Sequence, residues 1–545
     1  MVSRSIGSLA VLLATGCPLD SSGIASGVGF SGGSGSGSTG GGDGGASSST
    51  GNPLDGSAGS STATTVATVA TAAETEDGAS TGPGCPPGDD GCPCLGDRCD
   101  AGLECVGGVC GPSLCGNGTV DLGELCDDGD REDGDGCQGD CTPTVGMQVV
   151  AGVAAGREHT CARLHDGEIV CWGNGSNGRL GYGNVDTIGD NTDEFANAGG
   201  FVDTGGHVVQ LSLGSNFTCA RFADGAVRCW GNGQHGRLGL GLGSTDDIGD
   251  GELPLDVGPI MLGGPAVDIA AGNAHVCAVL DGGDLLCWGQ AQLGRLGYGS
   301  TNDVGLTQTP MEMGPVMVGG SVVQVVAGEA HTCALLVGGD VRCWGDNDVG
   351  QLGYGHSDDI GDDEGEVPAG EPPVVIADAG GMVIELAAGK DHTCAILEGG
   401  ALRCWGDNGD GQLGYDHTNN IGDDADPALA GDVDVGGTVI GLALGNRHTC
   451  ALLKDGSVKC WGSGGSGVLG VMTGEVIPPA RQPIETGPVA ITQLSAVHDH
   501  NCAYRADREV MCWGAGGQGR LGHGNTENIG DNETLVSVGT VMIIP

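Results

Sequence analysis

The sequence predicts an all-β protein in which a seven-bladed β-propeller follows a disordered linker and a small disulfide-rich module. Seven copies of a Cys-(nine residues)-Cys-Trp-Gly pattern, with Trp-to-Trp steps of 52 to 61 residues, indicate a repeat architecture. Glycine accounts for 113 of 545 residues and aromatic residues for 3 %, which favours short strands and tight turns over a helical core. Each copy is long enough for four short antiparallel strands, the size of one propeller blade.

Residues 1–17 are predicted to be an export signal. Arg4 precedes an apolar run, residues 6–14, that is too short to span a bilayer. The run leads into Gly-Cys and resembles a bacterial lipoprotein signal, which implies that Cys17 is lipidated and that the protein is exported to the outer membrane or cell surface. Ala14 stands where that family usually has Leu, so an ordinary secretory signal and a secreted protein are the alternative.

A linker and a cysteine-rich module are predicted to follow the signal. Residues 18–84 are mainly Gly, Ser, Thr and Ala, which cannot bury apolar area, so we expect a flexible tether. Residues 85–145 contain ten cysteines and almost no apolar residues, so disulfides are expected to replace a core. The stretch 115–141 resembles the cysteine-rich repeat of secreted myxobacterial proteins. The pairing of these ten cysteines stays open.

Residues 146–545 hold the seven repeats, and the fourth copy shows the predicted strand pattern. Val322–Ala327 and His331–Leu336 are expected to form two strands around a Gly-containing turn, and Val341–Trp344 the third. After a long Gly-rich loop, a fourth strand is predicted near Val374–Ile376. The pattern therefore predicts that this copy forms a four-stranded antiparallel blade.

The fourteen cysteines of the repeats are predicted to form one disulfide within each hairpin. Opposed residues on antiparallel strands have Cα atoms about 4.5 Å apart at a non-hydrogen-bonded site, which is within disulfide range. An even number of cysteines at fixed spacing also indicates an oxidising compartment. The predicted pairs are Cys161 with Cys171, Cys219 with Cys229, Cys277 with Cys287, Cys333 with Cys343, Cys394 with Cys404, Cys450 with Cys460 and Cys502 with Cys512.

The repeat resembles the regulator of chromosome condensation repeat. The shared pattern is His-Thr-Cys-Ala-Leu, a Gly-containing turn, Val-x-Cys-Trp-Gly and then Gly-x-Leu-Gly, with Leu-Gly beginning eight residues after every Trp. The resemblance covers residues 146–545 and implies a seven-bladed propeller. The chain departs from the eukaryotic members of that family in its paired cysteines.

The repeated Trp and His side chains are interpreted as structural. Trp follows the second cysteine and points to the opposite face of its strand, where we expect it to pack between blades. His precedes the first cysteine by two residues in six copies, and Phe217 replaces it in the second. We expect these histidines to hydrogen-bond the backbone of the turn between strands one and two, because the Phe copy argues against a ring of metal ligands.

Acidic loops after the third strand are the predicted location of function. Five contain Ile-Gly-Asp, and an antiparallel meander places them on the same propeller face as the Gly-x-x-His turns. Their oxygens are of the kind that bind calcium, while a solvated rim facing a partner is the alternative. The third and sixth copies lack the motif and are candidates for a site that breaks the symmetry, or for neutral variation. The candidate calcium ligands are Asp190, Asp250, Asp362, Asp423 and Asp531, and no other cofactor is predicted.

The net charge and the lack of a unique cluster of catalytic residue types narrow the functions that the sequence predicts. A formal net charge of −51 works against binding nucleic acid and anionic membranes and favours basic partners. No other segment has 18 consecutive apolar residues, so a lipid is expected to be the only membrane attachment. The carboxylates recur without a unique cluster, so no catalytic residue is predicted. We expect a monomeric, non-enzymatic surface scaffold that recognises an extracellular protein or glycan; a polysaccharide-active enzyme or an enzyme inhibitor is the alternative. Guanine-nucleotide exchange, which the resemblance would imply, conflicts with export, paired cysteines and charge.

Overall fold

The structure is a computed structural model that describes residues 103–106, 109–112, 149–192, 194–377, 381–471 and 483–544. The predicted signal with Cys17, the linker and most of the cysteine-rich module lie outside the described residues. The chain divides into two units near residue 113. In the first, β1 (Leu103–Val106) pairs antiparallel with β2 (Val109–Pro112), and the register sets Cys105 opposite Cys110.

The second unit contains seven three-stranded antiparallel sheets, which are the blades of the predicted propeller, numbered here in chain order. In each blade the strands follow one another in sequence, and the first strands surround the central channel. Two short helices, α1 (Pro310–Met313) and α2 (Leu535–Val538), lie in the connections, and within the described residues no helix has the length and apolarity to cross a membrane. The strands are β3 Val150–Ala155, β4 His159–Leu164, β5 Ile169–Gly173; β6 Val208–Leu213, β7 Phe217–Phe222, β8 Val227–Gly231; β9 Ala266–Ala271, β10 His275–Leu280, β11 Leu285–Gly289; β12 Val322–Ala327, β13 His331–Leu336, β14 Val341–Gly345; β15 Val383–Ala388, β16 His392–Leu397, β17 Leu402–Gly406; β18 Val439–Leu444, β19 His448–Leu453, β20 Val458–Gly462; β21 Ile491–Val497, β22 His500–Arg505, β23 Val510–Gly514.

The first three strands predicted for the fourth copy are confirmed, but the fourth strand is wrong. Around Val374–Ile376 a single backbone bond, from Val374 N–H to Val341 O at 2.9 Å, joins the outer segment to β14. The corresponding segment of every other blade also makes one such bond. These bonds are Val202 to Ile169, Ile260 to Val227, Val316 to Leu285, Val433 to Leu402, Ile484 to Val458 and Val541 to Val510.

Other groups occupy the outer edge of the third strand, which explains why no fourth strand pairs there. In blade 1, Gly173 exchanges two backbone bonds with Ile188, at 2.8 and 3.0 Å. The N–H of Cys171 donates to the hydroxyl of Tyr182 at 3.0 Å. The same contact is made in blades 3, 4 and 5 by Tyr298, Tyr354 and Tyr415. An edge satisfied in this way has little left to pair with another chain.

Each hairpin sets its two cysteines directly opposite each other. In blade 4 the register pairs Cys333 with Cys343, and the Cα atoms of every pair are 4.1 Å apart. Because the N–H of the second cysteine faces outward to Tyr354 in this blade, the pair occupies a non-hydrogen-bonded site. All seven predicted pairs are bonded in the structure and buried, with no link between repeats: Cys161 with Cys171, Cys219 with Cys229, Cys277 with Cys287, Cys333 with Cys343, Cys394 with Cys404, Cys450 with Cys460 and Cys502 with Cys512.

A hydrogen-bonded cluster that includes a His side chain joins neighbouring blades at six of the seven interfaces. Between blades 4 and 5, Nε2 of His331 lies 3.0 Å from Oγ1 of Thr393. The Thr393 hydroxyl donates to the carbonyl of Gln351 at 3.0 Å, and Nε1 of Trp405 donates to the same carbonyl at 3.0 Å. Since the hydroxyl hydrogen goes to the carbonyl, His331 is the donor through Nε2. Burial lowers the pKa of His331 to about 4, so its imidazole is neutral at physiological pH.

The same cluster closes the ring between blades 7 and 1, which the sequence left open. Oγ1 of Thr160 lies 2.9 Å from Nε2 of His500 and donates to the carbonyl of Arg520 at 2.9 Å. Trp172 donates to that carbonyl as well, at 2.9 Å. The ring therefore closes by side-chain bonds and packing, with no strand exchanged between the first and last blades. All seven Trp side chains are fully buried, as expected for packing between blades.

The prediction for the histidines is wrong in one respect, because they bond the neighbouring blade rather than the backbone of their own turn. For five histidines the partner is a Thr or Asn about one repeat further along the chain, and for His500 it is Thr160 of blade 1. Phe217 of blade 2 and Val276 of blade 3 occupy the same two positions, and both are fully buried. An apolar pair thus replaces the polar pair at this one interface.

Candidate functional site

The acidic loops and the Gly-x-x-His turns lie at the same end of the blades, as predicted; we name this end the upper face and the opposite end the lower face. In blade 4 the N–H of Asp346, in the loop, donates to the carbonyl of Ala330, in the turn, at 3.1 Å. The equivalent bond is present in all seven blades. Each loop is therefore anchored where it leaves its third strand.

Ile-Gly-Asp is a packing motif between blades. In blade 5, Ile421 pairs with Gly406 of its own third strand. Gly422 and the N–H of Asp423 lie against Gly350 of blade 4, so closely that a Cβ atom on either glycine would collide with backbone of the other loop. The motif thus fixes each loop against its neighbour, a role that sequence reasoning missed.

The five candidate calcium ligands are not brought together. Asp190, Asp250, Asp362, Asp423 and Asp531 each follow the glycine of this contact, one in each of blades 1, 2, 4, 5 and 7. Within the described residues, one group of three acids has carboxylate oxygens within 4.8 Å of one another, and it contains none of the five. The position of the Asp in Ile-Gly-Asp is therefore set by the packing of the preceding glycine against the neighbouring loop.

The third copy keeps the packing contact of the other blades although it lacks Ile-Gly-Asp. In blade 3, Val304 pairs with Gly289 and Gly305 packs against Gly236, so Val-Gly makes the same contact as Ile-Gly. The departure in this copy leaves the architecture unchanged. Residues 472–482 of the sixth copy lie outside the described residues.

The group of three acids lies in the upper loop of blade 4 and consists of Asp346, Asp348 and Asp359. Asp359 accepts a bond from Asn347 N–H at 2.9 Å, and Asp346 accepts one from Asp348 N–H at 3.3 Å. Burial, and then the neighbouring carboxylates, raise the pKa of Asp346 and of Asp359. The loop thus holds like charges close together in a partly desolvated position.

Negative charge is concentrated on the upper loops of blades 4 and 5, residues 345–367 and 406–426. These loops contain no Lys or Arg, whereas the corresponding loop of blade 3 has Asp303 as its single acid. The acids are therefore distributed unevenly among the upper loops. The fourteen acids of the two loops are Asp346, Asp348, Asp358, Asp359, Asp362, Asp363, Glu364, Glu366, Asp407, Asp410, Asp416, Asp423, Asp424 and Asp426.

A second difference singles out the same two blades. The residue before Leu-Gly is Arg in blades 1, 2, 3 and 7 and Gln in blades 4 and 5. Arg295 closes its loop by donating from Nε to the carbonyl of Gln292 at 2.8 Å. Gln412 closes the equivalent loop by accepting from Asp410 N–H at 2.9 Å and donating to Asp407 at 2.8 Å. The loop therefore stays closed with Gln in place of the cationic Arg. An alignment of the seven copies at the residue before Leu-Gly would have revealed this replacement from the sequence.

The repeat motifs and the seven-bladed ring agree with the matches to known families. The RCC1-like domain matches residues 113–428, and the regulator of chromosome condensation (RCC1) repeat matches residues 439–468. The chain belongs to the RCC1-like domain family. It is 31 % identical over 378 residues to the ultraviolet-B receptor UVR8 of Arabidopsis thaliana, covering 69 % of this chain and 79 % of the receptor.

Other relatives share only the propeller with this RCC1-like chain. The E3 ubiquitin-protein ligase HERC2 of Homo sapiens is 29 % identical over 333 residues, which is 60 % of this chain but 6 % of the ligase. Among solved structures, human WBSCR16 has a TM-score of 0.51 at 21 % identity, covering 62 % of this chain and 83 % of that one. Prp20p of Saccharomyces cerevisiae, reported with its binding to Gsp1p and histones, has a TM-score of 0.50 at 21 % identity over 64 % of this chain and 80 % of that one. These two structures show the fold alone.

Two cations beside the acidic loops of this RCC1-like chain are already in ion pairs. Lys390, at the channel end of blade 5, lies 2.8 Å from Asp391 and 3.5 Å from Glu329. Its bond to Asp391 raises the pKa of Lys390. Arg447 of blade 6 lies 3.4 Å from Asp410. Acids outnumber these two cations, so the sector formed by blades 4 and 5 keeps a strong negative field.

Proposed function

We propose that this RCC1-like protein is an exported, non-enzymatic scaffold that binds a basic protein through the upper loops of blades 4 and 5. The observation that carries the proposal is the set of fourteen acids in residues 345–367 and 406–426, without a Lys or Arg among them. Such a field attracts a cationic surface from a distance and favours it over neutral or acidic partners. A neutral glycan offers no matching charge.

Rigidity of the two loops supports the proposal. The side chain of Asn408 is fully buried and donates to two carbonyls of its own loop, at 2.8 and 3.0 Å. Asn347 does the same in blade 4, at 2.8 and 2.9 Å. With the glycine contact between the blades, these bonds hold the acids in place before a partner arrives. Less conformational entropy is then lost on binding.

We place the protein at the cell surface, attached through a lipid on Cys17. The proposal is supported by the signal-like residues 1–17, the tether-like residues 18–84 and the paired cysteines of every repeat. An alkyne-tagged fatty acid is expected to label the wild-type protein and not the Cys17→Ala variant. Export without labelling would favour the secreted alternative.

We propose binding rather than catalysis. The match to HERC2 covers 6 % of that ligase, so its ligase activity is not transferred to this chain. The structural observations on the upper face concern charge and packing, which suit recognition. A protein that binds but does not turn over its partner is the expected outcome.

Site-specific photocrosslinking on intact cells tests the binding face. Ser357 of blade 4 and Thr301 of blade 3 occupy the same exposed position of the upper loop, one in an acidic setting and one not. A photoreactive residue at position 357 is expected to capture a basic protein, and the same residue at position 301 is not. Equal capture at both positions, or capture of an acidic protein alone, would contradict the proposal.

A further inference from the structure

Every blade carries a β-bulge at the second residue of its first strand, near the lower face. The pairing register shifts there, so that one extra residue of the first strand is inserted between residues that pair with consecutive residues of the second. Bulges commonly redirect a side chain at the rim of a sheet or barrel. The extra residues are Ala151, Val209, Val267, Val323, Ile384, Ile440 and Thr492, of which six are apolar.

In blades 3 to 5 these bulges contribute to an exposed apolar surface. Val337, in the lower turn of blade 4, is 68 % exposed, and Met382, just before β15, is 47 % exposed. The side chain of Met382 lies against Gly339 in the same turn as Val337, so the surface continues from blade 4 to blade 5. We name this surface the lower apolar patch and define it as Val267, Val323, Val337, Met382 and Ile384, all exposed.

Acids border the lower apolar patch. Asp281, Asp284, Asp340 and Glu398 are exposed on the lower turns of blades 3, 4 and 5, and none of them forms an ion pair within the part of the chain that the structure describes. The backbone N–H of Glu398 donates to the carbonyl of Met382 at 2.8 Å, which puts the acid's backbone beside the patch. The lower turns of these three blades contain no Lys or Arg. Among the cations on this side of the molecule, Lys454 lies on the lower turn of blade 6, and the side chain of Arg342 of blade 4 lies beside Gly319.

We propose that the lower apolar patch docks a segment of a partner protein in which apolar side chains are flanked by Lys or Arg. The apolar side chains would cover the patch, and the cations would pair with the four bordering acids. A second copy of this chain fits poorly, because each copy carries a formal net charge of −51. An exposed apolar surface in so acidic a protein is a sign of an interaction site. This inference is independent of the proposed function, which uses the opposite face.

Binding of two synthetic peptides to the full chain tests the proposal. One peptide is an amphipathic alternation of Leu and Lys, and the other has Ser in place of every Leu at the same charge. Fluorescence anisotropy is expected to give about tenfold tighter binding of the Leu peptide. In the Val337→Ser/Met382→Ser variant this preference is expected to vanish. The Asp340→Asn/Glu398→Gln variant should weaken binding of the Leu peptide and reduce its salt dependence.

A matched control uses two exposed apolar residues elsewhere. Leu429 is 78 % and Met317 is 62 % exposed, outside the patch, so the Leu429→Ser/Met317→Ser variant should keep the tenfold preference. Equal binding of the two peptides, or a preference that survives Val337→Ser/Met382→Ser, would overturn the proposal. Sedimentation would overturn it in another way, if the wild type were a dimer that this variant converts to a monomer. The patch would then be the contact between copies.

Discussion

Glu385 provides a test of how the blades are joined, because it stands where blades 2, 4 and 7 have glutamine. In blade 4, Gln324 donates to the carbonyl of Leu386 at 3.1 Å and accepts from its N–H at 2.9 Å. Glu385 of blade 5 accepts from the N–H of Leu442 in the same way. An ionised carboxylate has no hydrogen to donate to the carbonyl. A protonated carboxyl has one and can imitate the amide.

The cost of ionising Glu385 follows from its pKa. Burial raises that pKa from 4.5 to about 7, which corresponds to about 3 kcal/mol against the ionised form in the folded state. Below about pH 4.5 the group is protonated in both folded and unfolded chains, so no cost arises. As pH rises from about 4.5 to about 7 the unfolded chain ionises first, and stability falls. Above about pH 7 the full cost applies.

The Glu385→Gln variant is expected to remove this dependence. Its free energy of unfolding should exceed that of the wild type by up to about 3 kcal/mol near pH 8 and match it near pH 4. Guanidinium unfolding of the oxidised full chain, followed by the fluorescence of the buried tryptophans, measures both values. The reciprocal Gln324→Glu variant should lose stability near pH 8 alone. An equal gain for Glu385→Gln at both pH values, or none near pH 8, would refute the reasoning.

Three further predictions concern the architecture. Non-reducing peptide mapping is expected to find the seven within-hairpin disulfides, and Cys333→Ser/Cys343→Ser should cost roughly 2–3 kcal/mol; free thiols or links between repeats would contradict the pairing. Gly422→Ala should lower the free energy of unfolding by more than about 1 kcal/mol, because the φ of +97° at Gly422 and its contact with Gly350 both oppose a side chain. Gly370 has open space around it, so Gly370→Ala should change the free energy of unfolding by less than about 0.5 kcal/mol in the same assay. Phe217→His alone should bury an imidazole without a partner, and adding Val276→Thr should recover about 1 kcal/mol by restoring the His–Thr bond. A double-mutant cycle without coupling would show that this bond does not form.

Local patterns predicted the strands, and contacts made across loops and blades account for most of what sequence reasoning missed. The strands around His331 were predicted correctly because apolar alternation and Gly-containing turns lie within one hairpin. The fourth strand was wrong because Tyr354 and Ile360 already satisfy the outer edge of β14. The partner of each of these histidines lies in the neighbouring blade, which for His500 is the first blade of the ring, and the spacing of the motif does not reveal that contact.

The candidate site shows the same division. Strand order predicted that the loops lie on the upper face, and the residues of those loops predicted that the face is acidic. It did not predict that Ile-Gly-Asp is a packing contact, because that depends on Gly350 and Gly422 meeting across two blades. The excess of acidic residues in the upper loops of blades 4 and 5 can be counted in the sequence, but treating the seven copies as one common motif hides it.

The central claim is that the upper loops of blades 4 and 5 bind a basic protein. Its most direct test is the affinity of the partner captured at position 357 for the wild type and for a variant with amides in place of the fourteen acids of those loops. Affinity is expected to fall by about tenfold or more and to lose most of its salt dependence. Amides at Glu527, Asp531 and Glu533 of blade 7 should leave it unchanged. An unchanged affinity in the first variant would contradict the claim.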